Sequence, residues 1–159
     1  QELLDFLKLQ KISYQSYSHP AFESCDISRK FHLKEGHMGV RAKNLFLRNK
    51  KGTRYFLLVL SQEKDFGKAR FREISGQKCG MADHEHLKKY LGILPGSVSP
   101  LALIHDTEKE VELFLDAEIL EASHIHFHPL EKTQSIALPP EEFLKFLKII
   151  DHEPIIGKI

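Results

Sequence analysis

Apolar residues recur along this chain with two different spacings, and each spacing predicts one kind of element. A helical spacing predicts an amphipathic helix over residues 1–9 and another over residues 141–150, where two consecutive prolines precede the apolar stripe. A third helix is predicted to begin after Asp83, a side chain suited to the N-cap, and to end at Gly92. Residues 66–75 follow neither spacing clearly, so the pattern leaves this segment unassigned.

The middle of the chain is rich in short apolar runs that are typical of strands. We predict strands over residues 12–17, 43–48, 54–60, 101–104, 111–115, 124–130 and 134–138. Lys50, Lys51 and Gly52 lie between two of these runs and predict a hairpin turn. Strands in the middle with helices at the flanks predict an α+β fold with a mixed or antiparallel sheet. No internal repeat or linker is visible, and a length of 159 residues suits a single domain over residues 1–159.

Composition narrows the class of protein without identifying it. A hydrophobic fraction of 42% and a charged fraction of 28% are those of a globular protein. The longest apolar runs are short, as at residues 56–60, so we expect no membrane span. Cys25 and Cys79 are too few for a disulfide framework. With no recognisable signal peptide, these features lead us to expect a cytoplasmic protein.

A net charge of +1 conceals an uneven distribution of charge along the chain. The segment 41–54 contains no acid and six basic residues, which are Arg41, Lys43, Arg48, Lys50, Lys51 and Arg54. The segment 106–121 contains seven acids and a single lysine. A local basic patch on a nearly neutral protein can bind phosphates. The alternative is a pair of solvated faces of opposite sign.

Lys43 and Asn44 open a strand that is otherwise apolar. If Lys43 points into a cleft, its ammonium group could hold a phosphate or polarise a carbonyl. The alternative is an ordinary lysine at the edge of a strand, in contact with solvent.

A second candidate is the loop 92–100, which joins the end of a helix to the next predicted element. Gly96 permits unusual backbone dihedrals, and Pro100 restricts the exit from the loop. The amides of Ser97, Val98 and Ser99 could converge on an anion or an ester oxygen. The loop contains neither a GxSxG nucleophile elbow nor a phosphate-binding P-loop motif, so an ordinary connection is the alternative.

Three alternating histidines form the third candidate. In a strand, His124, His126 and His128 would line one side, with Ile125 and Phe127 in the core. That spacing could bind zinc, although no carboxylate or cysteine is placed as a fourth ligand. His128 alone could act as an acid, a base or a hydrogen-bond donor. No Ser-His-Asp or Cys-His arrangement is visible, so a hydrolase here would activate water rather than form a covalent intermediate.

Taken in order, these pieces resemble one family, the prolyl-tRNA editing proteins, which are relatives of the YbaK deacylases and of the insertion domain of bacterial prolyl-tRNA synthetase. The resemblance covers nearly the whole chain. The features that carry it are His19-Pro20, Lys43-Asn44-Leu45-Phe46-Leu47, Leu91-Gly92, the segment from Pro95 to Leu101, Asp116, and His128-Pro129.

The resemblance implies a mixed, partly barrel-like sheet flanked by helices, and hydrolysis of a mischarged tRNA without a metal or other cofactor. By position, Lys43 corresponds to the family's essential lysine, with Asn44 beside it in the site, and residues 96–100 correspond to its substrate loop. His128 corresponds to the histidine of the amino-acid pocket, and Asp116 to an acid implicated in the synthetase insertion domains.

The form of the motifs bears on the amino acid that is removed. Ser24 stands where relatives often have a threonine, which makes it a further candidate for binding the substrate. The Lys-Asn-Leu-Phe-Leu and Pro-Gly-Ser-Val sequences look more like the alanine-specific branch than the cysteine-specific one. The resemblance therefore implies Ala-tRNA(Pro) as the substrate.

The implied partners are the acceptor end of proline tRNA, whose phosphates the basic residues 41–54 would meet, and prolyl-tRNA synthetase. Two other classes remain open at this point. One is a zinc hydrolase that uses the three histidines, and the other is a non-catalytic module that binds tRNA or the synthetase.

Overall fold

A computed structural model describes residues 2–18, 39–93, 98–127 and 134–159 of the chain. In these ranges the α-helices are Glu2–Leu9 (α1), Lys68–Ser75 (α2), His84–Leu91 (α3) and Pro140–Ile149 (α4). The strands are Gln15–Ser18 (β1), Val40–Asn49 (β2), Tyr55–Ser61 (β3), Cys79–Met81 (β4), Val111–Asp116 (β5), Ile125–Phe127 (β6), Gln134–Leu138 (β7) and Ile155–Gly157 (β8). Short 3₁₀ helices cover Pro100–His105 and Ala117–Glu121.

The strands form one mixed sheet in the order β1-β7-β6-β2-β3-β5-β8, and β4 pairs with β2 outside this path. Neighbouring strands are parallel at β2–β6, β3–β5 and β5–β8, and antiparallel at the other contacts. The predicted α+β class, with a mixed sheet flanked by helices, is therefore confirmed. No helix in the described residues is long and apolar enough to cross a membrane.

The long strand β2 is where the sheet divides. Along one edge, residues 42–48 pair continuously with β3. On the opposite edge, Val40 and Arg41 pair with β6, whereas Leu47 to Asn49 pair with β4. Between these two contacts, residues 42–45 have no strand beside them on that edge among the described residues. Lys43 and Asn44 lie in this gap.

The sheet carries a hydrophobic cluster on each of its two faces. Phe46 of β2 belongs to the larger cluster, together with Leu57 and Val59 of β3. Leu47 belongs to the smaller cluster, together with Leu58 of β3 and the ring of Phe71 from α2. Because consecutive residues of a strand point to opposite faces, β3 needs apolar residues at every position from 55 to 60, and all of them are buried.

The predicted helices are confirmed. The helix α3 begins and ends at the capping residues that predicted it. The Asp83 carboxylate accepts a hydrogen bond from the backbone N–H of His86 at 2.8 Å and caps α3. Gly92 ends the same helix with a φ of 67°, a left-handed conformation that favours glycine. The ambiguous segment 66–75 contains α2, which Gly76 ends in the same way.

One predicted strand is wrong, because residues 101–104 lie in the 3₁₀ helix Pro100–His105. Ser99 accepts a hydrogen bond from the backbone N–H of Leu101, and Pro100 fixes a helical φ at the first position. Leu101 to Leu103 are all buried and Ile104 is partly buried, so this short run has no periodicity that separates strand from helix. The short strands β4 and β8 were not predicted, because three residues carry too little pattern.

A buried contact between Asp106 and His152 connects the end of α4 to the start of β5. Asp106 and His152 are both almost fully buried, with 3.1 Å between Asp106 Oδ2 and His152 Nε2. The same carboxylate accepts hydrogen bonds from the backbone N–H groups of Glu110 and Val111, each at 2.9 Å. Burial alone would raise the pKa of Asp106, but the hydrogen bonds from His152 and these amides outweigh it, and the pKa is lowered.

We predict that Asp106→Asn lowers the free energy of unfolding by about 2–3 kcal/mol at pH 7, because bonds to a charged acceptor are lost. Since the folded-state pKa is below the ordinary value of 3.8, the wild-type advantage is full above that pH. It should shrink as the pH falls further, through the folded-state pKa. Denaturant titrations of both proteins between pH 7 and pH 2.5 measure this. The exposed Glu108→Gln is the matched control, and an Asp106→Asn penalty independent of pH would contradict the prediction.

Candidate functional site

Lys43 lies on the β2 face that carries the smaller hydrophobic cluster, and its Nζ donates a hydrogen bond to the backbone carbonyl of Lys64. Its side chain is partly buried. Among the described residues no carboxylate forms an ion pair with it. A carbonyl orients an ammonium group without neutralising it. The backbone of Lys43 lies at the gap of the sheet, whereas its ammonium group reaches the turn that follows β3.

Asn44, the next residue, points to the opposite face of the sheet. Its Nδ2 donates a hydrogen bond to the backbone carbonyl of Val98 at 3.0 Å, across 54 positions of sequence. Val98 is followed by the buried residues Ser99 and Pro100. Asn44 therefore fastens the segment 98–100 to β2 immediately beside Lys43. Two adjacent residues of one strand thus act on the two sides of the sheet.

Asp116 is the last residue of β5, and its side chain is completely buried. Its Oδ2 accepts a hydrogen bond from Lys64 Nζ at 2.8 Å, and this bond raises the pKa of Lys64. Lys64 Nζ also lies 3.6 Å from a carboxylate oxygen of the exposed Glu118. The structure therefore brings Asp116 to Lys43 through Lys64, a residue to which the sequence analysis assigned no role. Only its position in a run of basic residues could have drawn attention to it.

The six basic residues of segment 41–54 do not form one patch, because β2 separates them along its length. Arg41 and Lys43 lie near its first residues, whereas Arg48, Lys50 and Lys51 lie at the far end and are exposed. Lys50 lies seven positions after Lys43, which corresponds to roughly 23 Å of extended strand.

Two of the arginines have local partners or restricted access to solvent. Arg54 makes a two-pronged ion pair with Glu112, at 2.8 and 2.6 Å, and its guanidinium lies over the ring of Phe56. This pairing compensates the charge of Arg54. Burial lowers the pKa of Arg41, against the opposing charge of Glu63. Two guanidinium nitrogens of Arg41, Nε and Nη1, are shielded from solvent and find no hydrogen-bond partner within the described residues.

The remaining candidates of the sequence analysis divide into described and undescribed residues. His19, Pro20, Ser24, Gly96, Ser97 and His128 lie outside the described residues. Ile125 and Phe127 are in the core as predicted. His126 is also buried and stacks on Tyr17, with 5.7 Å between ring centroids. In the described ranges, no group of three His, Cys, Asp or Glu side chains could hold a metal ion.

Comparison with known proteins shows the family to which the chain belongs. The family of the aminoacyl-tRNA editing domain matches residues 20–146 of the chain. The chain belongs to this family. A zebrafish protein, prolyl-tRNA synthetase associated domain-containing protein 1, is 32% identical, with 98% of this chain and 84% of that protein covered. The prolyl-tRNA editing protein ProX of Acetoanaerobium sticklandii is 27% identical, with coverage of 87% and 84%.

Solved structures of low sequence identity share the fold. A hypothetical protein superposes with a TM-score of 0.76 at 13% identity, with 99% of this chain and 98% of that chain covered. A protein provisionally assigned as a trans-editing enzyme for prolyl-tRNA synthetase gives a TM-score of 0.71 at 15% identity, with 99% and 96% covered. In this fold, Lys43 and Asn44 lie on β2 and Asp116 ends β5, with β3 between the two strands.

The hairpin turn that presents Lys50 and Lys51 is organised by Asn49, which the sequence analysis missed. Asn49 is buried, and its Oδ1 accepts hydrogen bonds from the backbone N–H groups of Thr53 and Arg54 at 2.9 and 3.2 Å. Its Nδ2 donates to Thr53 Oγ1 and to Gln77 Oε1. A single amide side chain therefore closes the turn from both sides.

We predict that Asn49→Ala costs about 1–3 kcal/mol of unfolding free energy, because buried amide donors lose their acceptor. Hydrogen exchange at the amides of Thr53 and Arg54 should accelerate together. Gln77→Ala is the matched control, since it removes only the bond to Nδ2 and leaves the bonds to Oδ1 in place. Unchanged exchange at both amides in Asn49→Ala would show that the turn is held by other contacts.

Proposed function

We propose that this protein is an aminoacyl-tRNA deacylase that hydrolyses the ester of mischarged proline tRNA, with Ala-tRNA(Pro) as its substrate. The observation that carries the proposal is the ammonium group of Lys43. It is held by the backbone carbonyl of Lys64, in the turn that follows β3, and forms no ion pair with a carboxylate in the described residues. Arg41, two residues earlier on the same face, brings a second positive charge toward the same side of β2. Such a pair suits a substrate with phosphates and an ester oxygen that becomes negative.

The chemistry asks little of the protein, because an aminoacyl ester is already activated. Water adds to the carbonyl carbon, the carbonyl oxygen takes the negative charge, and the bond to the ribose oxygen then breaks. One proton of the water passes to the ribose oxygen, which leaves as a hydroxyl. The other is released to solvent as the amino acid departs as a carboxylate. Lys43 would stabilise the oxyanion electrostatically. The amides of the loop 96–100 would add hydrogen bonds around the open edge of β2, because Asn44 holds Val98 on the opposite face of the strand from Lys43. No protein nucleophile is needed.

The choice of proline tRNA rests on two relatives, one named a prolyl-tRNA editing protein and the other a prolyl-tRNA synthetase associated protein. The same names support prolyl-tRNA synthetase as a further partner. The choice of alanine rests on the Lys-Asn-Leu-Phe-Leu and Pro-Gly-Ser-Val motifs. A small pocket can exclude larger amino acids by steric clash, so editing suits a small misactivated one. His128 and Ser24 would line this pocket, and Asp116 would support it.

A panel of tRNA(Pro) charged with alanine, cysteine or proline tests the proposed reaction. We expect Ala-tRNA(Pro) to lose its amino acid fastest and Pro-tRNA(Pro) to be spared. Exhaustive chelation should not change the rate. Equal rates for all three esters would contradict the alanine assignment, and the absence of hydrolysis would leave a tRNA-binding module.

Lys43→Ala is predicted to reduce deacylation by about 100-fold or more, because one preorganised charge at the oxyanion is lost. The thermal unfolding midpoint should remain close to that of the wild type. Lys148→Ala, an exposed lysine on α4, is the control for net charge. Near-normal turnover by a folded Lys43→Ala protein would exclude the mechanism.

Charge reversal of the turn, Lys50→Glu with Lys51→Glu, should weaken tRNA binding and flatten its salt dependence. Each lost phosphate contact is expected to reduce the slope of log K against log salt by about 0.7–0.9. Arg54→Met should change the slope less, because Glu112 already compensates that charge. Filter binding at roughly 50 to 300 mM salt measures the slope of log K against log salt for both variants. If Arg54→Met lowers the salt slope more than the Lys50→Glu, Lys51→Glu variant does, then Arg54 and not the turn contacts the tRNA phosphates.

A further inference from the structure

We infer that Lys64 is a positioning residue for Lys43 and that Asp116 acts through it, an inference that rests on the proposed function. Lys64 contacts Lys43 through its backbone and Asp116 through its side chain. Its backbone carbonyl accepts the hydrogen bond from Lys43 Nζ, and its own Nζ donates to Asp116 Oδ2 at 2.8 Å. The chain Asp116–Lys64–Lys43 therefore runs from a completely buried carboxylate to the ammonium group of Lys43.

The turn that follows β3 needs this anchor. Its first residues are held to β2 and to the end of β3 by backbone contacts, with Gln62 N–H donating to the Arg41 carbonyl at 2.9 Å. Lys64 N–H donates to the Ser61 carbonyl at 3.0 Å, which closes the turn on itself. The ion pair with Asp116 is the contact that ties Lys64 to a different strand, β5. The position of the Lys64 carbonyl, and with it that of Lys43 Nζ, depends on that contact.

Lys64 also prevents a competing ion pair. Lys43 pairs across the sheet with Leu60, and Asp116 lies one step beyond the Val59–Leu115 pair, so the three residues form a row across β2, β3 and β5. Lys43 and Asp116 point to the same face, about 10 Å apart at the backbone. Without Lys64, the buried carboxylate would keep only the hydrogen bonds from the backbone N–H groups of Glu118 and Ile159, both at 3.4 Å. It would have no cation beside it and would attract the ammonium group of Lys43. Lys64 therefore keeps the charge of Lys43 available for the substrate.

The test compares Lys64→Met with Lys64→Arg, and uses the exposed Lys148→Met as the control for net charge. Lys64→Met should lower kcat for deacylation of Ala-tRNA(Pro) by roughly 100-fold, the effect of misplacing a catalytic group. KM should stay within about twofold, because the interaction is made in the transition state and not in binding. Lys64→Arg keeps a cation within reach of Asp116 and should recover most of kcat. Lys148→Met should resemble the wild type.

A KM increase with unchanged kcat in Lys64→Met would overturn the inference, since it would make Lys64 a tRNA contact. Equal losses in Lys64→Arg and Lys64→Met would also overturn it. If Lys64→Met does not fold, because Asp116 is left unpaired, the double variant Lys64→Met with Asp116→Asn takes its place. The same loss of kcat is expected there, and a wild-type kcat would contradict the inference.

A measurement on the unsubstituted protein separates this inference from the proposed function. Nitrogen-detected NMR of lysine ammonium groups reports how slowly each one exchanges with water. We expect slow exchange for Lys43 and Lys64 in the wild type, and fast exchange for exposed lysines such as Lys148. If the wild type hydrolyses no ester but shows slow exchange at Lys43, the proposed deacylase function is wrong and the positioning of Lys43 by Lys64 stands. If exchange at Lys43 is fast, the inference that Lys64 positions Lys43 is wrong, whether or not the protein hydrolyses the ester.

Discussion

β2 has to satisfy partners on both edges and clusters on both faces, and the organisation of the site follows from that constraint. Its pairing with β3 is continuous, so the alternation of its side chains is strict from residue 42 to residue 48. Its other edge is divided between β6 and β4. The division leaves a short stretch in which backbone and side chains are not covered by a neighbouring strand of the described chain. A polar pair can be accommodated there at little cost to the sheet, and this is where Lys43 and Asn44 lie.

Strict alternation also gives the pair two different tasks. Asn44 reaches one face and holds the carbonyl of Val98, which steadies the segment that leads into a capped 3₁₀ helix. Lys43 reaches the other face, where the end of β5 and the turn after β3 meet. A change of register by one residue would exchange these two tasks. The apolar residues on either side, which must face their own clusters, prevent such a shift.

Electrostatics within the site depends on which charges are paired. Asp116 and Lys64 pair with each other, and Arg54 pairs with Glu112. Lys43 is held by a carbonyl, and Arg41 is partly shielded from water. Among the described residues, Lys43 therefore contributes a positive charge that no ion pair compensates, beside the turn that follows β3. Membership of the aminoacyl-tRNA editing family agrees with such an arrangement, because its substrate carries phosphates beside a reactive ester.

The sequence alone determined the helices with clear caps, the long hydrophobic strands and the position of Lys43 at the start of an apolar run. These features depend on local signals, such as the Asp83 cap and the Gly92 stop, that need no distant partner. Residues 101–104 were misassigned because a short run whose residues are all buried or partly buried has no periodicity. The strands β4 and β8 form only through pairing with β2 and β5. The partners of the site also required the tertiary structure. Lys64 meets Asp116 across 52 positions and Asn44 meets Val98 across 54, and no pattern in one sequence specifies contacts over such separations. They arise because the strands that carry them are brought together by burial of the two clusters.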